Sequence, residues 1–267
     1  MKKMFKNKVM GILNITPDSF YDGGKYINLN DALKKTESMI YEGVDIIDIG
    51  GESTKPGFKF VTEEEEYSRV IPFFEKIKKI YPKIYTSINT SSHRIIKKCI
   101  NLGVNIINDV RFKYKKDIIE SSVLNNVYLC VVHTGKNLHE INIRKNKNII
   151  KELDVFFANK INKLCRLGFN RENIIIDPGF GYGKSFEENY YILKNLNYFK
   201  KFRLPILAGI SNKSMLKNLV NNFSKYEDLC NIVASTILLI KGANIIRVHE
   251  IKKNKNILKI IKKIFKR

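Results

Sequence analysis

The sequence contains no apolar run that reaches the roughly 18 residues a membrane span requires, which excludes a helical membrane protein. Cysteine is scarce. The four cysteines, Cys99, Cys130, Cys165 and Cys230, form no C-x-x-C pair and sit in apolar surroundings. That excludes a disulfide framework and predicts buried free thiols in a reducing compartment. Proline and glycine number 6 and 15 and nowhere cluster with serine, so no linker divides the chain. Residues 1–9 are basic but lack the apolar core of a signal peptide, so none is expected and the cytoplasm is the expected location.

Acidic residues are also few: 26 Asp and Glu stand against 48 Lys and Arg, a net charge of +22. The excess is mostly Lys and travels with many Asn and Ile. These three residues have the codons richest in A and T, so base composition accounts for the charge without a nucleic-acid partner. A protein that grips nucleic acid concentrates its charge on one face, whereas here Lys is spread over nearly every helical segment. Neither nucleic acid nor membrane is expected as a partner. The basic field would still draw in small anionic molecules.

A length of 267 residues suits one α/β barrel and buries a core that needs no metal or disulfide staple. Short, continuous apolar runs recur at 8–13, 44–49, 83–88, 104–108, 127–132, 173–177, 205–209 and 244–248. Such runs fit parallel strands buried on both faces. Helical patterns fall between them, near 29–42, 63–80, 91–102, 114–125, 146–167, 186–200, 213–241 (with a break near 223–226) and 254–266. Thr62 before four acidic residues reads as an N-cap. Gly43, Gly103, Gly168 and Gly242 each follow a helix and precede a strand, where a left-handed residue is needed. Eight strand–helix units predict a single-domain (β/α)₈ TIM barrel over 1–267; a doubly wound open sheet is the alternative.

Polar residues follow every strand: Asn14 and Asp18, then Asp48, Asn89, Asn108 and Asp109, His133, Asp177, Ser211 and Lys213, and Arg247 and His249. Alone, each is an ordinary turn former or cap. In a parallel barrel all eight strand ends share one rim, where such barrels keep their active sites.

Six segments carry a family resemblance: MGILNITPDSFYDGG (10–24), GGESTKPG (50–57), INDV (107–110), DPGFGYGK (177–184), GISNKS (209–214) and IIRVHE (245–250). In order and spacing they resemble the signature segments of the dihydropteroate synthases, over almost the whole chain. The resemblance implies a Mg²⁺-assisted transferase of folate biosynthesis. Such an enzyme joins 6-hydroxymethyl-7,8-dihydropterin diphosphate to p-aminobenzoate, giving 7,8-dihydropteroate and diphosphate. It also implies a sulfonamide target that is often a homodimer, although the Lys-rich helices show no obvious contact patch.

The resemblance assigns roles. Asp177 would accept paired N–H bonds from the pterin edge, a charge-assisted pattern, with Asn89, Asn108 and Lys213 beside it. Asn14 would help to hold Mg²⁺. Thr54, Lys55, Arg247, Val248 and His249 would bind the diphosphate and stabilise its departure. Phe20, Pro56, Phe180, Tyr182 and Ser214 would line the p-aminobenzoate site. Asp18, Asn89 and Lys213 would serve catalysis, Asp18 by balancing positive charge on the pterin and Lys213 by donating to the ring's acceptor edge, and the polar loops 14–28 and 50–62 would act as lids.

Some residues depart from the family pattern. Asn89 stands where Asp is usual, Lys55 and Asn212 where Arg is usual, Glu250 where Asp is usual, and His133-Thr134-Gly135 where a Met-His-Met-like stretch is usual. The lost carboxylate at Asn89 is expected to slow the reaction about ten- to a hundredfold. Two other readings follow: a pterin-binding relative that has lost or changed its catalysis, and the pterin domain of a methyltransferase. The second normally lacks the GISNKS and IIRVHE elements.

Overall fold

The computed structural model describes residues 5–16, 29–51, 61–111, 115–135, 148–220 and 222–265. The strands are β1 (Lys8–Asn14), β2 (Ile46–Gly50), β3 (Tyr85–Asn89), β4 (Ile106–Asp109), β5 (Tyr128–Val132), β6 (Ile174–Asp177), β7 (Leu207–Ala208) and β8 (Ile245–Val248). The helices are α1 (Leu29–Tyr41), α2 (Glu63–Ile80), α3 (His93–Asn101), α4 (Lys116–Leu124), α5 (Ile149–Arg166), α6 (Phe186–Lys194), α7 (Ser214–Lys217), α8 (Phe223–Lys241) and α9 (Ile251–Phe265). All strand pairs are parallel, in the order β6-β5-β4-β3-β2-β1-β8-β7. A parallel bridge between Ile176 and Ile206, with the Ile176 N–H donating to the Pro205 carbonyl at 3.0 Å, brings the two edges together. The result is the expected (β/α)₈ barrel, not an open sheet.

Alternation along each strand explains the continuous apolar runs. Met10, Ile46, Ile106, Tyr128, Ile175, Leu207 and Ile245 fill the barrel interior. Their neighbours Val9, Ile47, Ile107, Leu129, Ile174 and Ile246 pack outward beneath the helices. Phe5, ahead of β1, stacks edge-on against Tyr128 at 4.7 Å and plugs the N-terminal end. At that same end Asp45 accepts from Lys8 (3.0 Å), Lys255 (2.8 Å) and the Val9 N–H (2.9 Å). Burial opposes its ionisation, but these three donors outweigh that and hold the carboxyl below its ordinary range.

The helix boundaries have local causes. Thr62 and Glu65 form a reciprocal capping box at the start of α2, and Ser185 and Glu188 form another at α6. Gly43, Gly103, Gly168 and Gly242 all have positive φ, as their positions predict.

Three expectations need correction. The seventh helical segment is broken earlier than expected: α7 is a single turn ending at Lys217, and α8 starts at Phe223 after a left-handed Asn222, so residues 223–226 are helical. Cys165 is exposed on the outer face of α5, so only Cys99 and Cys130 are fully buried thiols. The helix surfaces do show an apolar patch: Tyr226, Leu229, Val233, Ile237 and Ile240 form an exposed stripe along α8 at helical spacing.

Candidate active site at the C-terminal rim

At the C-terminal rim of the barrel lies a cavity with about 360 Å³ of open space, lined among others by Ile12, Asn108, Asp177, Tyr182, Lys213 and Arg247. These residues come from the ends of β1, β4, β6 and β8 and from the loops after β6 and β7. Residues as far apart in sequence as Ile12 and Arg247 thus meet in one pocket at the rim.

Asp177, the last residue of β6, is buried. Its Oδ1 accepts from the Gly179 N–H at 2.7 Å. Gly179 has φ +66°, and a β-carbon there would lie 2.0 Å from the His133 carbonyl oxygen, so only glycine fits this turn. Burial raises the Asp177 carboxyl above its ordinary value, although Gly179, Lys213, Lys184 and Arg247 all pull it down. A buried carboxylate that lines the cavity is suited to receive N–H donors.

Lys213 approaches from the loop after β7. Its amine donates to the Phe180 carbonyl and lies 4.5 Å from the Tyr182 ring centroid, a cation–π contact. Burial pushes the amine down to about 8, with Asp177 opposing that shift and Arg247 reinforcing it. Asn212, one residue earlier, has φ +59° and exchanges hydrogen bonds with Asn231 of α8 at 3.0 and 2.6 Å. Asn212, which stands where Arg is usual in the family, has a structural role here: Asn is the non-glycine residue best suited to that left-handed turn.

On the neighbouring strand, Arg247 of β8 donates from Nε to Asp48 Oδ2 at 2.6 Å. Burial opposes its charge, but Asp48 more than compensates and the guanidinium is held firmly protonated. Asn108 donates from Nδ2 to both Asp48 oxygens at 3.3 and 3.4 Å. Asn89 satisfies its amide by accepting from Arg247 Nη2 at 3.1 Å and donating to the Asn108 carbonyl at 3.3 Å, an orientation assigned from these partners. His249 shares a hydrogen bond of 2.9 Å between its Nδ1 and Ser211 Oγ. Asn14 ends β1 in register with Gly50, where a β-carbon would lie 3.6 Å from Asn14 Oδ1 and 3.6 Å from Asn89 Cβ.

One expected contact is corrected. The Phe180 side chain is fully buried in the core between sheet and helices, so only its carbonyl reaches the site. The Val248 side chain alternates away from Arg247 and packs outward. Ser214 opens the single-turn α7. Asp18, Phe20, Thr54, Lys55 and Pro56 lie outside the described residues.

Three residues of the site carried no assigned role from sequence: Asp48, Ser211 and Lys184. The Lys184 amine is almost wholly buried and donates to the carbonyls of Gly179 (2.7 Å), His133 (3.0 Å) and Tyr182 (3.3 Å). It thereby ties the turn after β6 to the end of β5. Burial, aided by Lys213, pushes it down to about 7, while Asp177 and Glu188 oppose the shift. Its three carbonyl acceptors match the three donors of an ammonium.

Comparison with known proteins agrees with this geometry. The family profile described as pterin binding enzyme matches residues 10–249. The dihydropteroate synthase of Escherichia coli (strain K12) is 37% identical over 254 residues, covering 95% of this chain and 90% of its own length. That of Clostridium beijerinckii is 39% identical over 262 residues, covering 97% and 94%. The crystal structure of the Clostridium difficile dihydropteroate synthase in the presence of pteroic acid superposes with a TM-score of 0.90 at 33% identity, over 100% of both chains. The Yersinia pestis enzyme in complex with a sulfonamide drug gives 0.88 at 33% identity, over 99% and 96%. The chain belongs to the pterin-binding enzyme family, as a member of its dihydropteroate synthases.

Proposed function

We propose that this chain condenses 6-hydroxymethyl-7,8-dihydropterin diphosphate with p-aminobenzoate, releasing diphosphate and 7,8-dihydropteroate. The observation that carries the reading is the single cavity these residues share. Asp177, Asn108 and Lys213 offer one acceptor-rich and one donor-rich edge to a bicyclic heterocycle, while Arg247 presents a fixed cation to an anionic leaving group. Xanthomonas albilineans dihydropteroate synthase, 26 to 28% identical, has been crystallised with 4-aminobenzoic acid and with 7,8-dihydropteroate, the substrate and product proposed here.

The roles divide as follows. Asp177 accepts from the pterin N–H edge, with Asn108 beside it and Asn89 supporting both Asn108 and Arg247. Lys213 exchanges its Phe180 carbonyl partner for an acceptor on the pterin. Arg247 and His249 receive the diphosphate, with Thr54, Lys55 and the Val248 backbone completing the cradle. Tyr182, Ser214, Phe20 and Pro56 border the p-aminobenzoate site, and Asp18 balances charge on the pterin. Among the described residues, no three His, Cys, Asp or Glu side chains gather as a metal group. Asn14, a neutral oxygen at the end of β1, would hold Mg²⁺ together with waters and substrate phosphates. Bound there, the ion would neutralise charge on the leaving group.

Residues 1–267 would act as one pterin-binding barrel domain. None of the described helices is long and apolar enough to cross a membrane, and we place the enzyme in the cytoplasm. We assign the α8 stripe to a homodimer contact, since a two-fold axis lets one apolar stripe cover its own copy.

The test is turnover. Purified protein with dihydropterin diphosphate, p-aminobenzoate and Mg²⁺ should release diphosphate and form dihydropteroate. Pterin binding without turnover would instead support the catalytically silent relative that the Asn89 departure suggests.

A further inference from the structure

We propose that Asp48 is a positioning residue that sets the geometry of both halves of the site at once. The proposal rests on the pterin and diphosphate reading given above. Asp48 lies in the middle of β2, is fully buried, and is not among the cavity-lining side chains. Its carboxylate accepts from Arg247 Nε at 2.6 Å and from Asn108 Nδ2 at 3.3 and 3.4 Å. One buried group therefore joins a residue 60 positions away on β4 to one 199 positions away on β8.

The chemistry runs both ways. A carboxylate with no access to water requires charged or hydrogen-bonded partners, and these two residues supply them. In return, Asp48 takes the Nε edge of the guanidinium and leaves the Nη end aimed at the rim, where Nη2 meets Asn89 at 3.1 Å. It also engages the Asn108 side-chain amino group, which leaves Oδ1 as the side chain's remaining group for a ligand. Rigid support of this kind converts an arginine and an asparagine into pre-aimed recognition groups and spares the ligand the cost of ordering them.

The first test is Asp48→Asn, which keeps the shape but places an N–H against two donors. The unmodified protein is assayed first; if it shows no turnover, the functional reading fails, whatever the variant does. With turnover established, the variant should fold with unchanged circular dichroism. Its KM for dihydropterin diphosphate should rise about ten- to a hundredfold, and its KM for p-aminobenzoate by less than about threefold. Calorimetry with inorganic diphosphate and, separately, with 6-hydroxymethyl-7,8-dihydropterin should show both affinities weakened. Affinities within about twofold of the parent overturn the proposal, and weakening of only one overturns the claim that Asp48 serves both halves.

A second measurement needs no Asp48 variant. The ¹H–¹⁵N signal of Arg247 Nε–H, assigned by its loss in Arg247→Lys, should exchange slowly and persist when inorganic diphosphate is added. A signal that exchanges as fast as those of surface arginines overturns the proposal.

Discussion

Asn89 and Arg247 meet at the rim, with the Asn89 carbonyl accepting from Nη2 at 3.1 Å. The family's usual Asp at this place would turn that one-charge hydrogen bond into an ion pair and bring a second carboxylate to the pterin side of the site. Asn89→Asp is therefore expected to raise kcat/KM for the pterin substrate by about tenfold. Steady-state kinetics check it. An unchanged or lower value would mean that the amide N–H donated to the Asn108 carbonyl matters more than a second charge beside Arg247.

Lys213 carries a charge tuned close to working pH. Burial lowers its amine to about 8, so the cation is present below that pH and lost as pH rises through it. If the ammonium donates to substrate, kcat/KM should fall above pH 8. Lys213→Met should remove that limb and lower kcat/KM about a hundredfold at pH 7. A pH profile of the variant that keeps the same alkaline limb would assign it to another group.

His133 links stability to acid. Burial, with Lys184 nearby, pushes its imidazole from 6.5 down to about 3, and its Nδ1 is buried without a partner. Between those values the unfolded chain binds the proton and the folded chain does not. The contribution of the neutral ring is therefore complete above pH 6.5 and lost as pH falls toward 3, at about 1.4 kcal/mol per pH unit. Urea unfolding should show a loss of about 2 kcal/mol between pH 7 and pH 5 that His133→Gln lacks.

The stripe on α8 gives a direct test of the assembly. Leu229 and Val233 are 58% and 50% exposed. Leu229→Glu with Val233→Glu should convert a dimer to a monomer in light scattering, with little change in circular dichroism, because neither side chain belongs to the core. A parent protein that is already monomeric at micromolar concentration would refute the dimer.

The barrel was legible because its signals are local. Apolar runs of strand length, Thr62 before four glutamates, and glycines at helix ends each declare themselves within a few residues. Asp177, Asn108, Lys213 and Arg247 were legible through their motifs and their strand-end positions. Asp48 was readable as a strand end but not as a hub, because its partners lie 60 and 199 residues away. Only the register of the closed barrel places them on its carboxylate. Lys184 stood in plain view in DPGFGYGK, yet nothing in a sequence shows that three carbonyls will converge on its amine. Phe180 misled for the opposite reason: an aromatic in a rim loop reads as a ligand contact until alternation and packing turn its ring into the core.

The central claim is that the pterin and the diphosphate share one mouth. A crystal structure with dihydropterin diphosphate tests it most directly. The pterin N–H edge should lie within hydrogen-bond distance of Asp177 and Asn108, with the diphosphate against Arg247 and His249. A ligand bound away from Asp177, or a diphosphate directed away from Arg247, would contradict the account.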